Sequence, residues 1–131
     1  MGTKSPIPSW SDSKWKSWVI SLLRRGTMRF PPRNEVLNKS KTVKKKNPKT
    51  GRMAQFYKCA KCKKDYPLKE VAVDHKIPVV DVIKGFTTWD EYIERMFCIA
   101  KNLQVLCNTC HDKKSTEEKE IRNENKRNSE R

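Results

Sequence analysis

The sequence predicts a small α+β domain with helices near both ends and a zinc-stabilised core of short strands between them. Three observations predict this class of fold. Apolar residues recur at helical spacing near the N-terminus, short apolar runs bounded by turn residues fill the middle, and two C-x-x-C pairs stand 44 residues apart. The 131 residues suffice for one domain with a modest core.

The N-terminal extension, residues 1–40, is predicted to be helical. Its first helix spans residues 11–25, with a Ser or Asp cap at the start and Gly26 as the stop. A second short helix begins at the Pro-Pro pair, because proline suits a first helical turn. One face of the first helix is apolar, and we interpret it as core rather than as a platform for stacking bases: Trp15, Trp18, Val19, Leu22 and Leu23.

The main domain, residues 41–120, is predicted to begin with a β-hairpin. Its strands lie in "TVKKK" and "MAQFYK", and "NPKTG" forms the turn. Alternating apolar residues in "VAVDHKIPVV" predict another strand, which Pro78 stops. A brief strand or turn, "NLQVLC", leads to the second C-x-x-C pair.

Two further helices are predicted in the second half of the chain. The T-x-x-E capping box at Thr88 begins a helix that ends near Ala100. The other runs from about Thr109 into a charged tail, residues 121–131, where we expect a solvated helix that frays.

Four of the five cysteines form the pairs "CAKC", Cys59 and Cys62, and "CNTC", Cys107 and Cys110. Each pair lets two thiolates converge on one ion, so together they predict a four-cysteine zinc site. Its role is structural, because four thiolates leave no open position for water or substrate. Two disulfides or a redox motif are the weaker interpretations. Cys98 falls in a predicted helix and is interpreted as a buried thiol.

The charge is strongly positive, with thirty Lys and Arg against fifteen Asp and Glu, a net +15 and a pI near 9.8. Such a surface suits a polyanion, and nucleic acid is favoured over a membrane because no amphipathic basic helix is evident. No apolar run approaches the ~20 residues that span a bilayer, and no signal-peptide core follows the N-terminus. We therefore expect a cytoplasmic location.

The positive charge is concentrated before and around the first cysteine pair. Between Lys39 and Lys64 there are eleven basic residues and no acidic one. Within this stretch Lys44, Lys45 and Lys46 are candidate DNA-binding residues, although a solvated loop is the alternative interpretation.

Two adjacent polar residues, Asp74 and His75, interrupt the apolar strand, and the second of the two histidines, His111, directly follows the second cysteine pair. An imidazole that titrates near neutrality suits a general base, and a carboxylate suits a hard divalent cation. Neighbours on a strand point to opposite faces unless the strand bends, so they can address different atoms of one site. Phosphodiester hydrolysis needs such groups.

In chain order, Asp74-His75, Asn102 and His111 resemble the motif of the HNH, or ββα-metal, endonuclease superfamily. The branch with a four-cysteine zinc site is the most similar, as are small phage-encoded members. The resemblance covers roughly residues 55–118 and includes "VDHKIPVV" and "NLQVLCNTCHDKKS". Because the interval between the strand with Asp74-His75 and the asparagine of the motif is long, Asn108 is an alternative to Asn102 for that position.

The resemblance implies a ββα-metal core and a role for each matched residue. His75 would be the general base, and Asp74 and His111 would hold a catalytic Mg²⁺, Mn²⁺ or other divalent ion. Asn102 would hold the loop between the strands and so keep the base in place. Beyond the motif, Lys113 and Lys114 are candidates for contacts with flanking phosphates.

The predicted function is a divalent-metal-dependent DNA endonuclease that hydrolyses phosphodiester bonds, with double-stranded DNA as the expected substrate. Two alternatives stay open: a zinc-stabilised nucleic-acid-binding module without catalysis, and a protein-interaction zinc module. A homodimer and a phage packaging partner are also open, and a phage-encoded protein would act in the host cytoplasm. Steep salt dependence of DNA binding would separate the endonuclease and the nucleic-acid-binding module from the protein-interaction module.

Overall fold

The computed structural model describes residues 4–129, which form a small α+β fold with four α-helices and two small antiparallel sheets. The predicted α+β class is confirmed. Residues 1–3 and 130–131, in the predicted extension and tail, lie outside the described residues. The elements are α1 Asp12–Thr27, α2 Pro31–Ser40, β1 Lys41–Lys46, β2 Met53–Lys58, β3 Asp65–Pro67, β4 Val71–His75, α3 Trp89–Met96, β5 Leu103–Cys107 and α4 Asn108–Ser129.

The first helix begins as predicted but differs at its end and on its apolar face. The Ser11 hydroxyl caps α1 by accepting from the Lys14 N–H at 3.1 Å. Gly26 does not stop the helix, which continues through Thr27 without a left-handed residue.

The prediction that the apolar face of α1 is core was wrong. No residue of the helix is buried, and Trp18 and Leu22 remain 44% and 42% exposed. The indole of Trp18 stacks on Trp15, with 5.6 Å between ring centroids, and meets the edge of Trp10 at 6.0 Å. The tryptophans therefore cover one another in part, instead of packing under a sheet.

The predicted hairpin is confirmed as β1 and β2, and a third strand, β3, completes the sheet in the order β1-β2-β3. The Gly51 N–H donates to the Asn47 carbonyl at 2.8 Å across the turn, and Gly51 has φ +72°. Glycine is favoured there because this conformation strains an L side chain. The sequence did not predict β3, which is only three residues long.

The second sheet consists of β4 and β5, paired antiparallel from Val71↔Cys107 to His75↔Leu103. Helix α4 follows β5 without a gap, so the local order is two strands and a helix. The most buried cluster, Cys59, Leu106, Cys107 and Cys110, joins the two sheets and α4.

The segment between β4 and β5 contains α3, whose start was predicted correctly. The Thr88 hydroxyl accepts from the Glu91 N–H at 3.2 Å, whereas the Glu91 carboxylate accepts from the Thr87 hydroxyl. The helix ends at Met96, earlier than predicted, and a 3₁₀ turn at Ala100–Asn102 leads into β5. Cys98 therefore lies outside the helix and is half-buried rather than buried.

The last helix, α4, continues across residue 120 without a break, so the predicted tail is helical as far as it is described. Two hydrogen bonds link this helix to the segment after β4. Arg122 Nη2 donates to the Val80 carbonyl, and Asn125 Nδ2 donates to the Ile83 carbonyl, both at 2.9 Å. The domain boundaries at residues 40 and 120 stay predictions. Within the described residues, none of the helices has the length and apolar character needed to cross a membrane.

Candidate metal centre and active-site cleft

The four cysteines of the two C-x-x-C pairs converge on one point. Their Sγ atoms all lie within 4.8 Å of one another, and Cys62 and Cys107 are 4.0 Å apart. A tetrahedral zinc ion with Zn–S bonds of about 2.3 Å requires sulfur separations of about 3.8 Å. All five cysteines are free thiols, so the arrangement is not that of two disulfides. The cluster could bind a structural metal such as zinc.

Both cysteine turns are shaped by backbone hydrogen bonds. Around the first, the Lys63 N–H donates to the Cys59 carbonyl at 3.0 Å, and Lys63 takes a positive φ of 64°. In the second, the Cys110 N–H donates to Cys107 Sγ at 3.4 Å. The Ala60 N–H donates to the Val105 carbonyl at 2.8 Å and links the first turn to β5.

The electrostatics of the metal-free cluster favour some thiolates and oppose others. Burial raises the pKa of Cys59, but hydrogen bonds from the backbone to its sulfur lower it to about 6. The hydrogen bond from the Tyr66 hydroxyl lowers the pKa of Cys62. The neighbouring sulfur of Cys107, together with burial, raises the pKa of Cys110 to about 12. A divalent cation among the sulfurs would offset this mutual repulsion.

A cleft of about 690 Å³ lies beside the second sheet, and four of the predicted site residues border it: Asp74, His75, His111 and Lys114. Asp74 and His75 come from the end of β4, and His111 comes from the first turns of α4. Asp74 Oδ1 and His111 Nε2 are 3.9 Å apart. The pairing of β4 with β5 and the direct start of α4 thus bring together Asp74 and His111, which are 37 positions apart in the sequence.

The carboxylate of Asp74 is held by two further side chains. Its Oδ2 accepts from Gln104 Nε2 at 3.0 Å and lies 3.2 Å from Lys114 Nζ, and only 12% of the side chain is exposed. Gln104 stands opposite Asp74 in the β4–β5 register. Sequence reasoning missed this partner, although paired strands could have suggested it.

The imidazole of His75 is oriented by the backbone. Its Nε2 lies 2.7 Å from the Met96 carbonyl oxygen at the end of α3. A carbonyl can only accept, so Nε2 carries the hydrogen, and in the neutral ring the lone pair is on Nδ1. The ring is therefore held in the tautomer that can take a proton through Nδ1.

The remaining predicted residues occupy different surroundings. The Asn102 carbonyl accepts from the Lys76 N–H at 2.8 Å, which fixes the chain directly after His75, but this contact uses its backbone. Lys114 borders the cleft, whereas Lys113 is exposed on α4. Lys44, Lys45 and Lys46 lie on the fully exposed strand β1 and do not line the cleft. Asn108 is the first residue of α4.

Sequence reasoning did not name three charged cleft residues, Arg24, Glu118 and Arg122. For Glu118 and Arg122 a signal existed, since they lie one and two helical turns beyond Lys114 on the same predicted helix, and Glu118 forms an ion pair with Lys114. Arg24 lies in a distant part of the sequence, and no local pattern marks it as a neighbour of Asp74.

Comparison with known proteins adds no family assignment. No family model matches the chain, and no curated protein or solved structure matches it. The class of molecule described here is a small α+β protein with a four-cysteine cluster that could bind a structural metal.

Proposed function

We propose that this protein is a divalent-metal-dependent DNA endonuclease of the HNH type, with structural zinc in the four-cysteine cluster. One observation carries the proposal: Asp74, His75 and His111 border a single cleft, and the contact of His75 Nε2 with the Met96 carbonyl leaves Nδ1 of the neutral ring as the proton acceptor. The strand–strand–helix order that brings them there is the arrangement that the sequence resemblance implies.

In the proposed reaction, His75 Nδ1 takes a proton from a water molecule, and the resulting hydroxide attacks the scissile phosphorus. The bond from phosphorus to the 3′ oxygen breaks, and that oxygen takes a proton from solvent, which leaves a 5′-phosphate and a 3′-hydroxyl. The Met96 carbonyl holds the imidazole ring in the required tautomer and also stabilises the imidazolium that forms, because it accepts from Nε2–H in both states.

The donor set of Asp74 and His111 fits a divalent cation bound through few protein ligands. A carboxylate oxygen and an imidazole nitrogen 3.9 Å apart could both bind one ion, and Mg²⁺ commonly keeps several waters beside one or two protein ligands. When bound, such a cation would neutralise charge on the phosphate and on the departing oxygen. Asp74 and His111 themselves would hold the ion next to the base.

The test is cleavage of supercoiled plasmid by the purified protein in Mg²⁺ or Mn²⁺, beside the variant His75→Ala. We expect the wild type to nick or linearise the plasmid and the variant to lose at least 100-fold in rate, the usual scale of general-base catalysis. Zinc content and circular dichroism of both proteins show that the variant is folded. The ratio of nicked to linear product reports whether sites act singly or in pairs.

Normal cutting by His75→Ala would refute the assigned base. Binding of duplex DNA without cleavage in Mg²⁺, Mn²⁺, Co²⁺ or Ni²⁺ would instead favour the alternative, a zinc-stabilised binding module. Absence of both DNA binding and DNA cleavage would favour a protein-interaction module.

A further inference from the structure

The C-terminal end of α1 reaches the cleft that contains Asp74 and His75. Arg24 and Thr27, both from the last turn of α1, line that cleft, whereas the neighbouring Arg25 does not. The N-terminal extension therefore contributes a wall to the site rather than lying apart from it.

The position of α1 is fixed by contacts along the segment that contains α3. Lys16 Nζ lies 3.8 Å from the centroid of the Phe86 ring, and the ring of Phe30, which lies between α1 and α2, meets that of Phe97 edge to face at 5.2 Å. At Gly26, even a methyl group would come within 3.7 Å of the Phe97 ring, so the helix backbone passes close to it. These contacts hold the last turn of α1, and with it Arg24, at the mouth of the cleft.

Three side chains that are cationic at neutral pH line the cleft, and they differ in their partners. Lys114 pairs with the carboxylates of Asp74 and Glu118, and Arg122 donates to the Val80 carbonyl. Arg24 is exposed, and in the described part of the chain no carboxylate lies within ion-pair distance of it. Its partner is the hydroxyl of Tyr92, whose pKa burial raises, so this group stays neutral. The guanidinium of Arg24 thus has an uncompensated charge at the cleft.

We infer that Arg24 binds a phosphate adjacent to the scissile one, so that the site takes a polynucleotide rather than an isolated phosphodiester. The inference rests on the proposed function and deepens it. A guanidinium offers paired N–H donors that match two phosphate oxygens. The cleft volume of about 690 Å³ falls within the range of about 300–1,000 Å³ that is usual for ligand sites and leaves room beyond a single phosphate group.

The test compares Arg24→Ala with Arg25→Ala, a matched control on the same helix that removes the same charge. On duplex DNA we expect KM of Arg24→Ala to rise roughly 10–100-fold, the effect of losing one hydrogen-bonded charged contact, with a smaller effect for Arg25→Ala. Arg24→Gln, which keeps most of the side-chain stem, should show the same loss, and Arg24→Lys should recover part of it. Zinc content and circular dichroism confirm that each variant is folded.

A second substrate tests whether the rise in KM of Arg24→Ala comes from a lost contact with the neighbouring phosphate. Bis(p-nitrophenyl) phosphate has one phosphodiester and no flanking phosphate, so Arg24→Ala should lose far less activity on it than on DNA. Equal effects of Arg24→Ala and Arg25→Ala on DNA would overturn the inference, as would an equal loss on both substrates. Absence of DNA cleavage by the wild type, or full activity of His75→Ala, would refute the proposed function itself.

Discussion

Lys114 is the residue whose contacts differ most from what its position in the sequence suggests. It was expected to reach flanking phosphates, but its Nζ lies 3.1 Å from the His75 carbonyl and 3.2 Å from Asp74 Oδ2, and it also pairs with Glu118. Burial lowers the pKa of Lys114, but the carboxylates of Glu118 and Asp74 outweigh this and raise it. The ammonium therefore stays charged and balances two carboxylates beside the proposed base.

Replacing Lys114 by Met should lower the free energy of unfolding by about 1–3 kcal/mol, because two half-buried carboxylates and a carbonyl lose their common donor. The matched control is Lys113→Met, which removes the same charge from an exposed position and should change stability by about 0.5 kcal/mol or less. Urea unfolding of both zinc-loaded variants measures the difference. Equal destabilisation by the two changes would show that the contacts of Lys114 contribute nothing specific.

At the scale of elements, the sequence predicted those parts of the fold that local chemistry specifies. The cap at Thr88, the turn containing Gly51 and the two cysteine turns follow from residue types at short spacing, and all are present. The face of α1 and the neighbours of Asp74 depend on which elements meet in space. Helical spacing places Trp15 and Trp18 on one apolar stripe, but it cannot show that Trp10, which precedes the helix, covers part of that stripe.

The cysteine cluster is the element that connects the two sheets. Cys59 and Cys62 lie between β2 and β3, whereas Cys107 ends β5 and Cys110 lies in the first turn of α4. A metal bound there would therefore fix the second sheet and α4 relative to the hairpin sheet. In zinc-finger peptides, structural zinc contributes about 10–16 kcal/mol at pH 7, which matches or exceeds the net stability of about 5–15 kcal/mol typical of a domain.

Changing Cys110 to Ser should remove the metal and unfold most of the domain, because a cluster with three thiolates leaves the coordination shell incomplete. The control is Cys98→Ser, which changes the one cysteine outside the cluster and should keep one zinc per chain. Metal content by mass spectrometry and helicity by circular dichroism report both effects. Retention of zinc and fold by Cys110→Ser would contradict a four-cysteine structural site.

At the scale of the whole molecule, the densest run of basic residues and the cleft occupy different elements. The strand β1 is fully exposed and contains four of the eleven basic residues found between Lys39 and Lys64. In α4 and beyond, from Asp112 to the end of the sequence, seven basic and six acidic residues nearly cancel. If DNA binds across the cleft, we expect the basic hairpin to contact its backbone outside the cleft, because Lys44, Lys45 and Lys46 do not line it.

The separation of the basic strand β1 from the cleft predicts a specific effect on the salt dependence of DNA binding. Neutralising six to ten phosphates would make the affinity of the inactive His75→Ala protein for duplex DNA fall roughly 10³–10⁵-fold between 50 and 200 mM salt. Changing Lys44, Lys45 and Lys46 to Gln should reduce the slope of log affinity against log salt by as much as about 2.7, since each phosphate contact contributes about 0.9. Lys45 also lies 4.5 Å from the centroid of the Phe56 ring, so its own contribution should be the smallest of the three.

The matched control removes three charges from α4 instead: Lys119, Lys126 and Arg127 to Gln, which lowers the net charge equally. If only the total charge of +15 attracts DNA, both triple variants should lose the same slope. If the hairpin contacts the backbone, the β1 variant should lose far more, while its hydrolysis of bis(p-nitrophenyl) phosphate stays at the wild-type rate. A larger loss in the α4 variant would place the DNA along the last helix and exclude β1 from the binding surface.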